Sequence, residues 1–266
     1  MSNIIRRAYL ALIATFLIAP MLVILAVSVN AKKFLSFPPK GFSLRWYIEI
    51  FADDAWFSSL ISSLAVAGGA ATLTIAIALP VAYSLWRYDL RYARVLFSLG
   101  VTPFVLPPVI MALASLLFFT ASGMHGLMIN VIIAHAIFLV ALPLVTISLG
   151  LESISKEMIE AGQIMGADDR TVFKTVILPL VLPYIISGFA FAFVLSLNEY
   201  IIAFMTVGFT VETLPIKIFN ALRYGYTPVM ASVAVLFILI NVLIFGLIGR
   251  YGNLPKLLGA QSEERS

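Results

Sequence analysis

One carboxylate in this chain stands where a carboxylate is expensive. Glu199 follows Asn198 inside the otherwise apolar run FAFVLSLNEYIIAF, and a charge held in hydrocarbon is costly unless it faces a wet cavity or a partner. Asn198 and Glu199 are therefore candidates for a pathway that passes a cation, with a structural hydrogen bond or ion pair as the alternative. The remaining chemistry-bearing side chains form no catalytic set. His125 and His135 have no third ligand at metal-site spacing and read as hydrogen-bonding residues. The chain has no cysteine, hence no thiolate nucleophile and no zinc site of the Cys type. Neither H-E-x-x-H nor G-x-x-x-x-G-K-[ST] occurs, so neither zinc-assisted hydrolysis nor P-loop binding of nucleotide phosphates is written in it. The expectation is a protein with no catalytic residue, metal or cofactor of its own.

The elements that must position Glu199 are long apolar stretches. Hydrophobic residues make up 62% of the 266 residues and charged ones 11%, with a mean hydropathy of +1.06. Soluble domains run at about 45–50% and about 25%, so a soluble enzyme, a disordered tail and a fibrous repeat are all excluded. Six stretches reach the roughly 20 residues that cross a bilayer: 8–29, 60–85, 95–120, 127–150, 177–205 and 229–249. Peptide groups in lipid must find their hydrogen bonds within the chain, so each stretch should be a helix. The fold class is thus an all-α membrane protein with six transmembrane helices in a single domain over residues 1–266. Pro80, Pro103, Pro107, Pro108 and Pro143 should bend or interrupt the spans, and 103–108 could instead bound a shorter helix. The first span follows Arg6 and Arg7 but exceeds the roughly 7–15 apolar residues of a signal core, so it reads as a retained helix.

A net charge of +4 does not indicate nucleic acid, because the basic residues are scattered between apolar blocks. Their placement reads as topology. One set of alternate connections, with the termini, carries 11 Lys and Arg, including Arg87, Arg91, Arg94, Lys156, Arg170, Lys256 and Arg265; the other set carries 6. The bias puts both termini in the cytoplasm, although Lys32, Lys33, Lys40 and Arg45 in the first outer loop run against it. Trp46, Tyr47 and Trp56 are expected at the outer interface and Trp86 and Tyr88 at the inner one. Gly68 and Gly69 are expected to allow close helix approach.

The longest polar cytoplasmic connection is about 152–175, between the fourth and fifth spans. In ESISKEMIEAGQIMGADDRTVFKTVILP, Ser153 or Ser155 can cap a short helix with Ile159, Ile164 and Met165 at helical spacing. Gly166 can end it at positive φ, and Asp168 can cap the next helix. A helix, glycine turn and helix outside the membrane with apolar residues unburied imply a partner protein.

Glu160, Ala161, Gly162, Gly166, Val176, Leu178 and Pro179 carry a resemblance. Their spacing resembles the EAA motif of ABC importer permeases, the MetI-like type I family, with Gly162 for the second alanine and Val176 for the usual isoleucine. The likeness extends to 42–47 (FSLRWY) and 214–218 (LPIKI), and is closest to the second permease subunit of spermidine/putrescine importers. It implies that the loop is a coupling helix, with those seven residues docking onto a cytoplasmic ABC ATPase dimer that hydrolyses the ATP. It also implies a second permease subunit, a periplasmic substrate-binding protein, a bacterial inner-membrane location and alternating access. Asn198 and Glu199 would then line the pathway of a small cationic amine. The alternatives are an amino acid, opine, aminophosphonate or ferric iron in the same fold, or a proton-coupled secondary transporter.

Overall fold

The computed structural model describes residues 3–208, 210–224 and 227–251. Lys256 and Arg265, counted above for orientation, lie outside the described residues. Those described form α1 (Asn3–Ser28), α2 (Arg45–Ala52), α3 (Asp54–Tyr88), α4 (Arg91–Val105) and α5 (Pro108–Ala121). There follow α6 (Met128–Leu139), α7 (Ala141–Glu152), α8 (Lys156–Ile164), α9 (Asp169–Val172), a π-helical turn (Phe173–Ile177) and α10 (Leu178–Asn198). The described residues end in α11 (Ile201–Val207), α12 (Leu214–Tyr224) and α13 (Val229–Tyr251).

Among the described residues, four helical runs are long and apolar enough to cross a bilayer alone: Asn3–Ser28, Asp54–Tyr88, Asp169–Asn198 and Val229–Gly246. Two bent pairs raise the number to six if each pair is one span.

Three expected spans are interrupted, each for a local reason. The span at 95–120 is two helices, α4 and α5, bent by 111°. Proline disfavours the α region in the residue before it, and Leu106 stands at φ −76°, ψ 146° ahead of Pro107 at φ −55°, ψ 135°. The span at 127–150 bends by 47° between α6 and α7. Pro143 gives Leu139, four residues back, no N–H, and its ring crowds that carbonyl; the ladder resumes with Leu144 N donating to Val140 O at 3.1 Å. The span at 177–205 breaks at Glu199 and Tyr200, between α10 and α11. In the other direction α10 runs back without interruption through the π turn to Asp169, so the second helix of the polar connection is the beginning of the fifth span.

The contacts gather into two compact units, the described parts of Met1–Leu60 with Ile216–Val242, and of Ile61–Pro215 with Leu243–Ser266. In the first, Asn30 is fully buried and organises the loop after α1. Its Nδ2 donates to Phe34 O at 3.1 Å and Ser36 Oγ at 2.9 Å, and its Oδ1 accepts from Lys32 N at 3.2 Å and Lys40 N at 3.0 Å. Trp46 donates Nε1 to Asn30 O at 2.6 Å and is 3% exposed, and Trp56 is 8% exposed. Both tryptophans, expected at the interface, are core residues instead: inside a protein the ring buries its large apolar area while its N–H finds a carbonyl.

In the second unit α10 packs along α7, and α11 packs against α5 and α6. The α7–α10 approach depends on absent side chains. A Cβ on Gly188 would lie 2.9 Å from Pro143 Cα and 2.6 Å from Thr146 Oγ1; one on Gly150 would lie 2.7 Å from the Tyr184 ring. Of the expected glycine pair in α3, a Cβ on Gly69 would lie 3.0 Å from Ile132 Cδ1, whereas one on Gly68 would meet nothing within 4 Å. Gly188→Val should therefore lower stability by about 1–3 kcal/mol or more through overpacking against backbone that cannot yield. Gly68→Ala should cause no loss. Thermal unfolding of the detergent-purified protein distinguishes the two.

Candidate functional site

The second unit holds two constellations, at opposite ends of α10. The first is the polar connection, which is built onto the core. Ile154, Ile159 and Val172 join Ala78, Ala82, Leu144, Ile147, Leu151, Ile177 and Val181 in one buried cluster. One side of α8 is thereby fixed. On the other side Ile164 and Met165 are 86% and 82% exposed, and Glu160 and Ala161 are exposed with them. These are large apolar groups at a helix end that none of the described residues covers.

The turn between the helices is a Schellman motif. Gly166 stands at φ +85°, its N–H donates to Gln163 O at 2.9 Å, and Ala167 N donates to Gly162 O at 3.1 Å. Both bonds satisfy carbonyls that the end of α8 would leave open, and a positive φ without a Cβ penalty is what they require of Gly166. Gly162 is buried, and a Cβ there would meet Val172 at 3.4 Å, an ordinary contact, so the alanine of the EAA pattern would fit. Asp168 caps α9, its Oδ1 accepting from Thr171 N at 2.9 Å. Bonds from the Thr171 side chain and backbone hold the Asp168 carboxyl below its ordinary value. The cap is thus complete at neutral pH and is lost only as pH falls through that lowered value. Ser155 occupies the N-cap position of α8 but makes no cap bond; its side chain instead bonds Glu157, whose carboxyl is held low first by its own backbone amide and then by Ser155.

The rest of the EAA-like pattern serves a different purpose from its start. Val176 and Leu178 are half-buried, and Pro179 lies just after the π turn. Proline cannot donate to the carbonyl four residues back, and its ring needs room there. The wider turn supplies it, with Leu178 N donating to Phe173 O. Glu160 and Ala161 face outward from α8, while Val176, Leu178 and Pro179 shape the entry into α10.

The second constellation lies some 30 Å along α10, at its far end. Glu199 leaves the helix at φ −77°, ψ 129°. Its carboxylate folds over the start of α11, where Oε1 accepts from Ile202 N at 2.9 Å and Oε2 from Ala203 N at 3.0 Å. His135 Nε2 lies 3.1 Å from Oε2, and His135 Nδ1 lies 2.7 Å from Ser196 Oγ. One imidazole ring thus ties the Ser196 hydroxyl to the Glu199 carboxylate, one through each ring nitrogen. His135 is 1% exposed and Glu199 10% by side chain. The histidine on α6 thus holds both sides of the break. Asn198, exposed at the end of α10, donates Nδ2 to Val194 O at 2.7 Å. Sequence spacing did not reveal the His135–Glu199 pair, since 64 residues separate its members. The clue available was that a span contained one histidine and another span one carboxylate.

Residues 75–252 match the family described as binding-protein-dependent transport system inner membrane component. The putrescine transport system permease protein PotI of Escherichia coli is 34% identical over 94% of this chain and 89% of its own length. The spermidine/putrescine transport system permease protein PotC of Haemophilus influenzae is 29% identical over 90% and 92%. Among solved structures, a bacterial ABC transporter involved in import of the acidic polysaccharide alginate superposes with a TM-score of 0.72 at 17% identity, covering 94% of this chain and 96% of that one. The MetNI methionine ABC transporter, in an inward-facing conformation, gives 0.61 at 20% identity over 75% and 97%. At these identities the structures establish the fold.

The bracket across the break predicts a specific stability effect. His135→Ala leaves a buried Ser196 hydroxyl and one carboxylate position of Glu199 without a partner, and should cost about 1–3 kcal/mol. His135→Gln, which can donate one bond, should recover part of the loss. Thermal melts of the purified variants measure both.

Proposed function

For a chain that belongs to the binding-protein-dependent transport system inner membrane component family, we propose the role of one permease half in an ATP-driven importer of a small cationic amine of the putrescine or spermidine kind. The observation that carries the coupling part is the α8 end, where Ile164 and Met165 are left uncovered beside a glycine turn rooted in the core. Such a surface fits a groove on a cytoplasmic ATPase subunit, with Glu160, Ala161, Gly162 and Gly166 forming the docked end and Val176, Leu178 and Pro179 its junction with α10. Each bent pair counts as one span in this arrangement, giving six with both termini inside, as the basic-residue bias supports. The chain works in the bacterial inner membrane as a single permease domain, beside a second permease subunit, an ATPase dimer and a periplasmic binding protein. ATP is hydrolysed in the ATPase subunits.

The cargo assignment is supported by the PotI and PotC relatives and by the chemistry at Glu199. A carboxylate offers about four acceptor positions, and three are filled by Ile202 N, Ala203 N and His135 Nε2. The fourth is met by no hydrogen bond among the described residues. An ammonium group passing the break at Asn198 and Glu199 would be attracted more strongly than in bulk water, yet a carboxylate already committed to a helix cap cannot wrap around it. This favours passage over trapping. Another relative, named as a putative 2-aminoethylphosphonate transport system permease protein, PhnV of Salmonella paratyphi A, at 26% identity, points to a cargo that is amine and anion together.

Two experiments test this. In the assembled transporter, Gly166→Val forces a β-branched residue into left-handed backbone at a cost of roughly 1–2 kcal/mol. ATP hydrolysis stimulated by the binding protein should fall about tenfold with the permease pair intact; unchanged stimulation would remove the loop from coupling. Glu199→Gln keeps the shape, deletes the charge and leaves one oxygen to accept from the α11 amides. Uptake of radiolabelled putrescine into proteoliposomes should slow with assembly preserved, and a normal rate would show that Glu199 does not select for charge. Uptake of aminoethylphosphonate but not putrescine would favour the second cargo.

A further inference from the structure

The cytoplasmic end of α3 is tied to the α8–α9 turn by contacts that neither the cap geometry nor the EAA-like residues require. At 35 residues α3 extends about 52 Å, well beyond the roughly 30 Å of bilayer hydrocarbon. Arg87, in its last turn, brings Nη2 to 3.2 Å from Asp169 Oδ1. The same oxygen accepts from Gln163 Nε2 at 3.2 Å, so one carboxylate oxygen joins α3, α8 and α9. Beside it Tyr83 meets Phe173, at the start of the π turn, edge to face with centroids 5.0 Å apart, and Tyr83 also contacts Trp86 and Tyr88 at 6.2 and 6.1 Å.

Resting on the reading of this loop as the ATPase-docking element, we propose that Arg87, Asp169 and Gln163 form a latch that transmits movement of the docked loop to α3, with Arg87 as a positioning residue for energy coupling. The loop is joined covalently to α7 and α10 alone, and Arg87 is 82 residues from Asp169 in sequence. Apart from that bridge, displacement of the loop would reach α3 through apolar packing alone, in which Ala78 and Ala82 are buried and Tyr83 and Trp86 lie against the same cluster. Beside that packing a cleft of about 680 Å³ opens between the end of α3 and α8, lined by Trp86, Arg87, Glu152, Ile159, Glu160 and Gln163 among others. Arg87 and Gln163, on its two sides, are joined through Asp169. The Arg87 side chain is 27% exposed and that of Asp169 62%, and an ion pair so exposed adds little to stability. Its contribution is to register, fixing where the glycine turn sits relative to α3. Of the other carboxylates around this cleft, Asp89, just past the end of α3, is engaged by Arg94 at 2.6 Å, and Glu152 and Glu160 lie on the side of α7 and α8.

Charge reversal in the complete transporter, with the partner permease, ATPase and binding protein in proteoliposomes, tests this. Arg87→Glu and Asp169→Arg should each reduce binding-protein-stimulated ATP hydrolysis by about five-fold or more, while the ATPase subunits still co-purify. The double reversal should restore most of it, which a general structural weakening would not do. If Arg87→Glu prevents assembly, Arg87→Gln is measured in the same way and decides. Stimulation within about two-fold of the parent in an assembled Arg87 variant, or single losses that the double reversal does not repair, would overturn the latch. A cysteine at Met165, in a chain with no native thiol, separates this from the docking role. A cross-link from Met165→Cys to the ATPase subunit, together with normal coupling in Arg87→Glu, would overturn the latch alone. Absence of that cross-link in the otherwise parental chain would overturn both.

Discussion

Hydrocarbon offers no hydrogen bonds, so each interruption of a helix at membrane depth has to be closed from within the chain. The fold can be followed through how that is done. At Val140 the ladder loses a single donor to Pro143 and resumes with Leu144, and the result is a bend. At Leu106 and Pro107 the turn is sharper, and Leu106 N and Ile110 N find Pro103 O and Pro107 O. At Glu199 and Tyr200 a side chain closes the break, as the carboxylate takes the two exposed amides of α11 and is itself held by His135. The packing of α11 against α5 and α6, with Ile202 in a core shared with Ala112, Phe119 and Ala134, depends on that bracket.

In the proposed function Glu199 has two compatible tasks. A carboxylate serving as a helix cap is rigid, and rigidity keeps its charge at a fixed place without allowing it to close around a passing cation. The cost of burying the charge is offset by three hydrogen bonds. The same site can therefore be structural in its contacts and functional in its field.

At the other end of α10 the physical logic is reversed. Ile159 and Val172 are buried while Ile164 and Met165 are exposed on the same short connection, so the loop is anchored on one side and apolar on the other. A Schellman turn keeps α8 and α9 at a set angle, and the π turn ahead of Pro179 passes the chain into α10 without breaking it. Such a connection moves as a piece, because its inner residues belong to the same cluster as Leu144, Ile147 and Val181 of the neighbouring helices. The Arg87–Asp169 bridge extends the connection to α3.

Composition and apolar run length alone determined that this is an all-helical membrane protein, because about 30 Å of hydrocarbon admits few other solutions. The spacing of Glu160, Gly166 and Pro179 was enough to place a glycine-turned loop between two spans, since a Schellman turn is a local structure with a local residue requirement. The prolines gave the positions of two bends, though not their angles of 111° and 47°. The break at Glu199 was not legible: no proline or glycine marks it, and the carboxylate accepts there from the amides of α11 and lies against His135. Trp46 and Trp56 were read as interfacial because amphipathic rings favour that zone, but the fold supplied Asn30 O to one and a packed core to both. Arg87 and Asp169 carried no signal in sequence for the same reason as His135 and Glu199. Pairing across 82 or 64 residues is decided by which helices pack together, and side-chain periodicity within one helix contains no information about its neighbour.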